Sequence, residues 1–525
     1  MASLRPSRLN FDILVNLFAF AESRGDVLSL MKTCRCLLAP ATRHLFNFPV
    51  SLHHMEQTRS FCDYMLAKSQ NRCRYLRHLR VLIFLLKDKD GPLLQKLAKV
   101  IQYSTRLEEL VLQETEEFLS VGGDVVFSTL SDLTSHRALT KLQLGSVSTE
   151  ASRLLEAMKA TSVLELSLTF VSASLLDDPD PLELLAGLGP NLTTLYIDNA
   201  LPYSDSEGVQ CPNLHTLTLW SFGLLPLRCL TRMFPNLVNL SFHSEYGDEY
   251  GENQIEASRA ENLAEYEADG GPWSSLQRLS GNIRQLYILG FSFHVKFLDL
   301  SMAVAEEAPM CIALIDNLSP NILDLSILVR TFKTLSELEA FLSRATSGLT
   351  QCTHLILSFT MDGVSFDLTD FQVSYPVSTI SHQSWLTILN KAMLVSVLEK
   401  LTVHLLGIRI PCFTSRACLM LGLCEDVFDP SQCRPDPLET FLCAIDTKAL
   451  ATTIADRIPV LRHVGLHIGN QPGTSGLWEV VRLQGGESRE EVVTSKINLN
   501  RACDFHEAEG IVYGSPDVGD TVSKN

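Results

Sequence analysis

The organising stretch of this chain is residues 212–220, which read Pro-Asn-Leu-His-Thr-Leu-Thr-Leu-Trp. Leu214, Leu217 and Leu219 form an L-x-x-L-x-L run, and the last two point to one face of an extended chain. Copies of the run lie at Leu107-Leu110-Leu112, Leu139-Leu142-Leu144, Leu192-Leu195-Ile197, Leu237-Leu240-Phe242 and Ile322-Leu325-Ile327. Pro-Asn precedes three of these copies, at Pro190, Pro235 and Pro320. A single run would predict only a half-buried strand.

Repetition of the run changes this interpretation. An interval of roughly 22 to 32 residues is typical of leucine-rich repeats, in which neighbouring units must stack to make a core. Helices are predicted between the strands, for example over Glu56–Lys68 and Gly91–Gln102. Further strand runs lie at Leu76–Val81, Val163-Leu166-Leu168, Val295-Leu298-Leu300 and Cys352-Leu355-Leu357. The alternation predicts an α/β fold with a parallel sheet and right-handed crossovers.

The predicted solenoid covers residues 50–500, with parallel strands on its concave side and helices outside. Composition shifts indicate three inserts in it, at 245–271, 360–397 and 406–440. Late strands are predicted at Leu398–Val403 and Leu461–Ile468, followed by a terminal hairpin of Trp478–Leu483 and Val492–Ile497. Residues 501–525 are expected to be a flexible tail because Ser, Gly, Asp and Pro dominate beyond Gly510.

Composition excludes several classes of function. The 525 residues carry a net charge of −17, which argues against nucleic-acid binding because phosphate contacts need a basic surface. No run of about 18 apolar residues predicts a membrane-spanning helix, and no secretory signal is visible. The 14 scattered cysteines are therefore expected to be reduced, in a cytoplasmic or nuclear protein.

The first 49 residues differ from the repeats. Apolar residues lie on both sides of a helix predicted over 11–20, with Phe11, Leu14 and Phe18 on one side and Ile13 and Leu17 on the other. A second helix is predicted over 27–38 and should stop at Pro40, before a short third element over 41–48. So small a unit cannot bury both sides of its first helix. One side is left for a partner, or for the first repeat.

Region 1–49 resembles the F-box. Leu9, Asp12, Ile13 and Leu14 match the opening L-P-x-E-I-L of that family, with Asn10 in place of the usual proline, and Thr33-Cys34-Arg35 is similar to its V-C-R element. The tryptophan that is common near the end of the motif is absent. With repeats directly after it, the chain resembles fungal F-box proteins whose leucine-rich repeats are irregular.

The resemblance implies a substrate-recognition subunit of a cullin–RING ubiquitin ligase that makes no bond itself. The N-terminal helices would dock on the linker adaptor of the ligase, and the repeats would hold an unidentified target protein. The adaptor-binding residues implied are Leu9, Phe11, Ile13, Leu14, Leu17, Phe18, Leu28 and Leu37. The alternative is a leucine-rich-repeat scaffold without a ubiquitin role, in which these helices only cap the first repeat, around Leu76 and Leu79.

Catalytic, cofactor and metal sites are not predicted. The phosphate-binding motif G-x-x-x-x-G-K-[ST], the dinucleotide motif G-x-G-x-x-G and the nucleophile motif G-x-S-x-G are all missing. His463-x-x-x-His467 has the spacing of a zinc motif on a helix, but Val464, Leu466 and Ile468 alternate with the histidines. This alternation favours a strand with both rings outward.

Residues between the leucines of each run line the predicted concave face. Large aromatic residues among them distinguish this face from a merely solvated one, because aromatic residues anchor protein interfaces. The outward positions read off the runs are Glu109, Gln113, Lys141, Thr194, Tyr196, Asp198, Thr218, Trp220, Ser241, His243, Tyr287, Asp299, His354 and His404. The predicted target-binding residues are Tyr196, Asp198, Trp220, His243, Tyr287 and Asp299.

Overall fold

The structure is a computed structural model, and it divides into two compact units, Met1–Leu276 and Gln277–Asn525, called unit 1 and unit 2. The residues that it describes are 16–21, 23–33, 37–67, 72–135, 138–158, 162–171, 181–200, 209–222, 227–243, 252–268, 273, 275–302, 304–328, 331–332, 334–360, 403, 405–410, 446–468, 475–484 and 490–497.

Unit 1 contains a parallel sheet whose strands pair in chain order. The eight strands in its described residues are β1 (Val50–Leu52), β2 (His78–Val81), β3 (Glu109–Leu112), β4 (Lys141–Val147), β5 (Glu165–Phe170), β6 (Thr194–Ala200), β7 (Thr216–Phe222) and β8 (Asn239–His243). The α-helices are α1 (Arg24–Thr33), α2 (Leu38–Leu45), α3 (Met55–Leu66), α4 (Gly91–Tyr103), α5 (Thr115–Ser131), α6 (Thr149–Ala157), α7 (Leu227–Met233) and α8 (Glu252–Ala268). Short 3-10 helices cover Leu17–Phe20, Cys73–Tyr75, Asp88–Asp90, Asp132–Ser135, Glu183–Gly187 and Gly189–Asn191.

Unit 2 repeats this plan and ends differently. Its described strands are β9 (Arg278–Asn282), β10 (Phe297–Met302), β11 (Ile322–Leu328), β12 (His354–Thr360), β13 (Leu405–Ile410), β14 (His463–Ile468), β15 (Ser475–Gln484) and β16 (Glu490–Ile497). β9 to β14 are parallel, whereas β15 and β16 pair antiparallel. The helices are α9 (Ile283–Ile288), α10 (Ala308–Leu318), α11 (Leu335–Ser347) and α12 (Thr447–Arg457), with a 3-10 helix at Ala305–Glu307.

The repeated leucines explain why the strands form and stack. Leu142, Leu166, Leu195, Leu217 and Leu240 lie beside one another in the register of β4 to β8. All five are at most 2% exposed. Neighbouring helices also pack on one another along α3, α4, α5 and α6, so each repeat buries its apolar face against the next one.

The α/β prediction is confirmed. The described residues of the two units contribute fourteen strands that run parallel to their neighbours, with helices between many of them. The hairpin predicted over Trp478–Leu483 and Val492–Ile497 is also confirmed, and so is the strand around His463 and His467. The predicted tail and the insert at 360–397 lie almost wholly outside the described residues.

Two late strands differ from the prediction. β13 lies at Leu405–Ile410, so an insert beginning at 406 is wrong. The strand predicted over Leu398–Val403 lies outside the described residues except for Val403, which is not part of a strand. In β11 the register sets Leu323 and Leu325 beside Leu355 and Leu357, whereas the sequence alignment had placed Ile322 at the first leucine position. Residues 252–268 of the predicted insert at 245–271 form helix α8, which packs on α7.

The N-terminal helices form a small cluster of their own. Phe18, Val27, Leu37, Ala41 and Leu45 are buried together in it. The prediction that one helix covers 27–38 and stops at Pro40 is wrong, because α1 ends at Thr33 and Pro40 lies in the first turn of α2. A proline is tolerated there because the first turn of a helix does not use its backbone N–H groups.

Candidate functional site

The exposed face of the unit 1 sheet lies on β4 to β8, opposite the buried leucines. We call it the open face. Its central row contains Gln143, Ser167, Tyr196, Thr218 and Ser241, which are adjacent in the strand register and partly exposed. Parallel strands that are covered by helices on one side only leave the other side available to a partner.

An aromatic and acidic cluster stands out on the open face. Asp198, Trp220 and His243 are in register on β6, β7 and β8, and Tyr196 lies two residues before Asp198 on β6. The rings of Trp220 and His243 are 4.7 Å apart between centroids, with planes inclined at 33°. Trp220 is 41% exposed, which is unusual for so large an apolar side chain. We call these four residues the Trp220 patch.

At neutral pH the Trp220 patch carries one negatively charged group. Burial, followed by the charge and the hydrogen bond of Asp198, raises the pKa of Tyr196 to about 12. Burial also lowers the pKa of His243. The phenol and the imidazole are therefore neutral at pH 7, and the carboxylate of Asp198 gives the patch its charge.

The backbone bends in the same way at both central residues of the patch. Asn199 and Ser221, which directly follow Asp198 and Trp220, have positive φ values of 56° and 44°. Ser146 occupies the equivalent position on β4, with φ of 50°, and there the strand register shifts as in a β-bulge. A positive φ is uncommon outside glycine and asparagine, and it changes the direction of the chain immediately after Asp198 and Trp220.

The sequence analysis did not predict this bend, although the spacing of apolar residues in two of the strands indicates it. In β4 and β6 the next buried apolar side chain after Leu144 and Ile197 comes three positions later, at Val147 and Ala200, rather than two. In a regular strand, successive side chains point to opposite faces, so buried and exposed residues alternate with a period of two. The extra residue in each strand is the one with the left-handed conformation.

Two other carboxylates on the strands of unit 1 have basic partners. Glu109 accepts a hydrogen bond from Arg80 at 3.0 Å, and Glu165 lies 3.6 Å from Lys141. Both pairs join neighbouring strands of unit 1. The basic members of these two pairs lie on β2 and β4, away from the Trp220 patch.

Two further features are absent from the part of the chain that the structure describes, a cluster of possible metal ligands and a membrane-spanning helix. Three or more His, Cys, Asp or Glu side chains that meet as a possible metal site do not occur there. None of the helices described has both the length and the hydrophobicity needed to cross a membrane.

Comparisons with known proteins leave the family open. Neither the models of known protein families nor the curated proteins contain a match to this chain.

Two of the predicted target-binding residues lie elsewhere. Tyr287 is in helix α9, so its assignment to a strand position is wrong. Asp299 lies on β10 of unit 2, between Ser280 and Asp324, which are 5% and 9% exposed. The outward position His404 lies outside the described residues.

The corresponding face of unit 2 is more buried at the start of its strands than the open face is. Phe297 and Ile322 are adjacent in register, and Ile356 lies opposite Asp324, two positions further along β11. The three apolar residues form a separate buried cluster, and the guanidinium of Arg278 lies 4.2 Å above the Phe297 ring. Strands that are buried on both faces carry apolar residues at consecutive positions. The exposed candidate surface is therefore that of unit 1.

The predicted adaptor-binding residues separate into two groups. Phe18 and Leu37 are buried inside the N-terminal cluster, at 3% and 1% exposure. Leu17 and Leu28 are 40% and 38% exposed, and Phe20, which the sequence reasoning did not select, is 79% exposed. Leu9, Phe11, Ile13 and Leu14 lie outside the described residues.

Proposed function

We propose that this chain is the substrate-recognition subunit of a cullin–RING ubiquitin ligase, as its resemblance to F-box proteins implies. The N-terminal cluster would dock on the linker adaptor, and the open face of an irregular leucine-rich-repeat solenoid would hold the target protein. The observation that carries the proposal is the exposed apolar surface of Leu17, Phe20 and Leu28 on a cluster that is otherwise well packed.

Burial of the described residues supports one side of the predicted first helix as the side that would meet a partner. Phe18 belongs to the side shared by Phe11 and Leu14, and it is buried against Val27 and Leu37. Leu17 belongs to the opposite side and is exposed, as is Phe20. Exposed apolar groups of this size on a folded domain usually mark an interaction surface. This favours docking through the Leu17 side.

The scaffold alternative predicts a different exposure for the same residues. If the helices only capped the first repeat, their spare side should be buried near Leu76 and Leu79. Those two leucines are fully buried, yet Leu17, Phe20 and Leu28 remain exposed. Contact with the repeats is made instead by Phe46, whose ring lies 6.4 Å from that of Tyr64 in α3. The exposed side therefore supports an external partner.

Co-purification from the protein's own cells tests the proposal. Tagged full-length chain should retain the linker adaptor, and Leu17→Asp or Phe20→Asp should abolish its capture while thermal unfolding changes little, because exposed positions tolerate substitution. Val125→Asp is the matched control, since Val125 is 46% exposed on α5 of the repeats, and it should retain the adaptor. Absence of an adaptor from the purified wild-type chain would contradict the proposal and leave the scaffold alternative.

A further inference from the structure

We propose that the Trp220 patch binds a cationic side chain, a lysine or an arginine in a basic segment of the target protein. The inference rests on the proposed function only in taking this face as the one that meets the target. It names the chemical class of that target at one site.

The geometry of the patch suits a cation. Asp198 and Trp220 are in register on adjacent strands, which lie about 4.8 Å apart, and each directly precedes a residue with positive φ. A cation within about 6 Å of a tryptophan ring is attracted to its face, and a carboxylate adds a charge-assisted hydrogen bond. A guanidinium or an ammonium group that contacts Trp220 can reach Asp198 at the same time.

The other members of the patch hold this pair in place. Tyr196 is hydrogen-bonded to Asp198, and a carboxylate has about four acceptor positions, so it can accept from the phenol and from a cation at the same time. His243 packs beside Trp220 and restricts the orientation of its ring. Both neighbours are neutral at pH 7, so neither opposes a cation.

Other ligands fit less well. The sequences of β6, β7 and β8 contain no lysine or arginine, so an anion would meet Asp198 without a compensating base on these strands. A purely apolar group would remove water from the carboxylate without replacing its hydrogen bonds, which costs free energy. The net charge of −17 also favours encounter with a basic partner.

Peptide binding to the full-length chain tests the inference. The probe is a short fluorescent peptide in which arginine alternates with serine, measured by anisotropy at about 0.15 M salt, where charges more than about 8 Å apart are largely screened. A peptide with glutamine in place of arginine serves as the neutral comparison. We expect the arginine peptide to bind, and Asp198→Asn or Trp220→Leu to weaken its binding by roughly tenfold or more. Trp220→Tyr, which keeps an aromatic face, should retain part of the affinity.

A matched variant separates this site from general attraction to an acidic protein. Glu165→Gln removes one carboxylate from the same face, but that carboxylate is paired with Lys141 and has no aromatic neighbour in register. It should leave peptide binding unchanged. Equal losses for Glu165→Gln and Asp198→Asn would overturn the inference, as would equal binding of the glutamine peptide.

The outcome is independent of the ubiquitin proposal. Peptide binding needs no adaptor, so a chain that captures no adaptor but binds the arginine peptide through Asp198 and Trp220 contradicts the proposed function and leaves this inference standing. A chain that captures the adaptor but binds the arginine and glutamine peptides equally would contradict this inference and leave the proposed function standing.

Discussion

Asn213 and Asn236 make the same contact in successive repeats of unit 1. The side-chain amide of Asn213 donates to the carbonyl oxygen of Pro190 at 2.7 Å, and that of Asn236 donates to the carbonyl oxygen of Pro212 at 2.8 Å. Each Pro-Asn pair thus joins the start of a strand to the preceding repeat. The Pro-Asn motif was recognisable in the sequence as a turn signal. Its role in joining neighbouring repeats became evident only from the register of the strands.

Replacing Asn236 tests this contact. Asn236→Ala removes the donor, and we expect the free energy of unfolding to fall by about 1 kcal/mol, the usual net value of such a hydrogen bond. Asn236→Asp should cost more, because an ionised carboxylate cannot donate and is repelled by the Pro212 oxygen. Urea unfolding measures both values. Asn47→Ala, at an exposed turn, should stay within about 0.5 kcal/mol of the wild type, and an equal loss there would argue against a special role for Asn236.

Helices of neighbouring repeats are joined through one side chain. Glu116 lies in the first turn of α5, and its two carboxylate oxygens accept hydrogen bonds from the backbone N–H groups of Glu150 and Ala151, each at 3.0 Å. These groups lie in the first turn of α6, where backbone donors lack partners within the helix. A carboxylate there is also favoured by the helix dipole.

We therefore expect Glu116→Ala to destabilise unit 1 by about 1–2 kcal/mol, the range for losing a helix cap. Glu116→Gln should lose less, since its amide oxygen still accepts one bond. Glu156→Ala is the control on α6 itself, because Glu156 is exposed. Circular dichroism during urea unfolding reports the three stabilities, and similar values for Glu116→Ala and Glu156→Ala would show that the bridge contributes nothing.

At the scale of elements, the sequence predicted the alignment of a strand correctly where the strand is buried on one face. It was misleading where the strand is buried on both faces. In β7 the buried and exposed residues alternate, and the leucine run was assigned correctly. In β11, Ile322, Leu323, Asp324 and Leu325 are all at most 9% exposed. The apolar pattern of β11 therefore fits two alignments, and only pairing with β10 and β12 distinguishes them.

Across the whole molecule, the same distinction decides how much of the candidate site was predictable. Tyr196, Asp198, Trp220 and His243 lie on strands with one exposed face, so their outward direction followed from the leucine pattern. The prediction for Tyr287 was wrong because helix α9 forms in that part of unit 2. The exposure of a sheet face also depends on the elements that cover it, and a local sequence pattern does not contain that information. The bend at Asn199 was likewise outside strict alternation.

The charge of the whole chain leads to the last prediction, which concerns salt. With 60 acidic against 43 basic residues, the folded chain carries an excess of 17 negative charges, and their mutual repulsion opposes compactness. The screening length falls from about 30 Å at 0.01 M salt to about 8 Å at 0.15 M. Added salt should therefore relieve the repulsion between distant carboxylates.

Screening also weakens ion pairs, and the magnitudes decide which effect is larger. Exposed pairs such as Lys141 with Glu165 and Arg153 with Glu150 contribute about 0–1 kcal/mol each. The pair of Arg284 and Glu307, at 3.2 Å, has a carboxylate side chain that is 2% exposed and is screened much less. We expect the thermal midpoint to rise between about 0.01 and about 0.15 M sodium chloride, because the excess charge outweighs the exposed pairs. Choline chloride should raise the midpoint equally if screening is the cause, and a midpoint that falls with either salt would mean that the ion pairs contribute more than the repulsion.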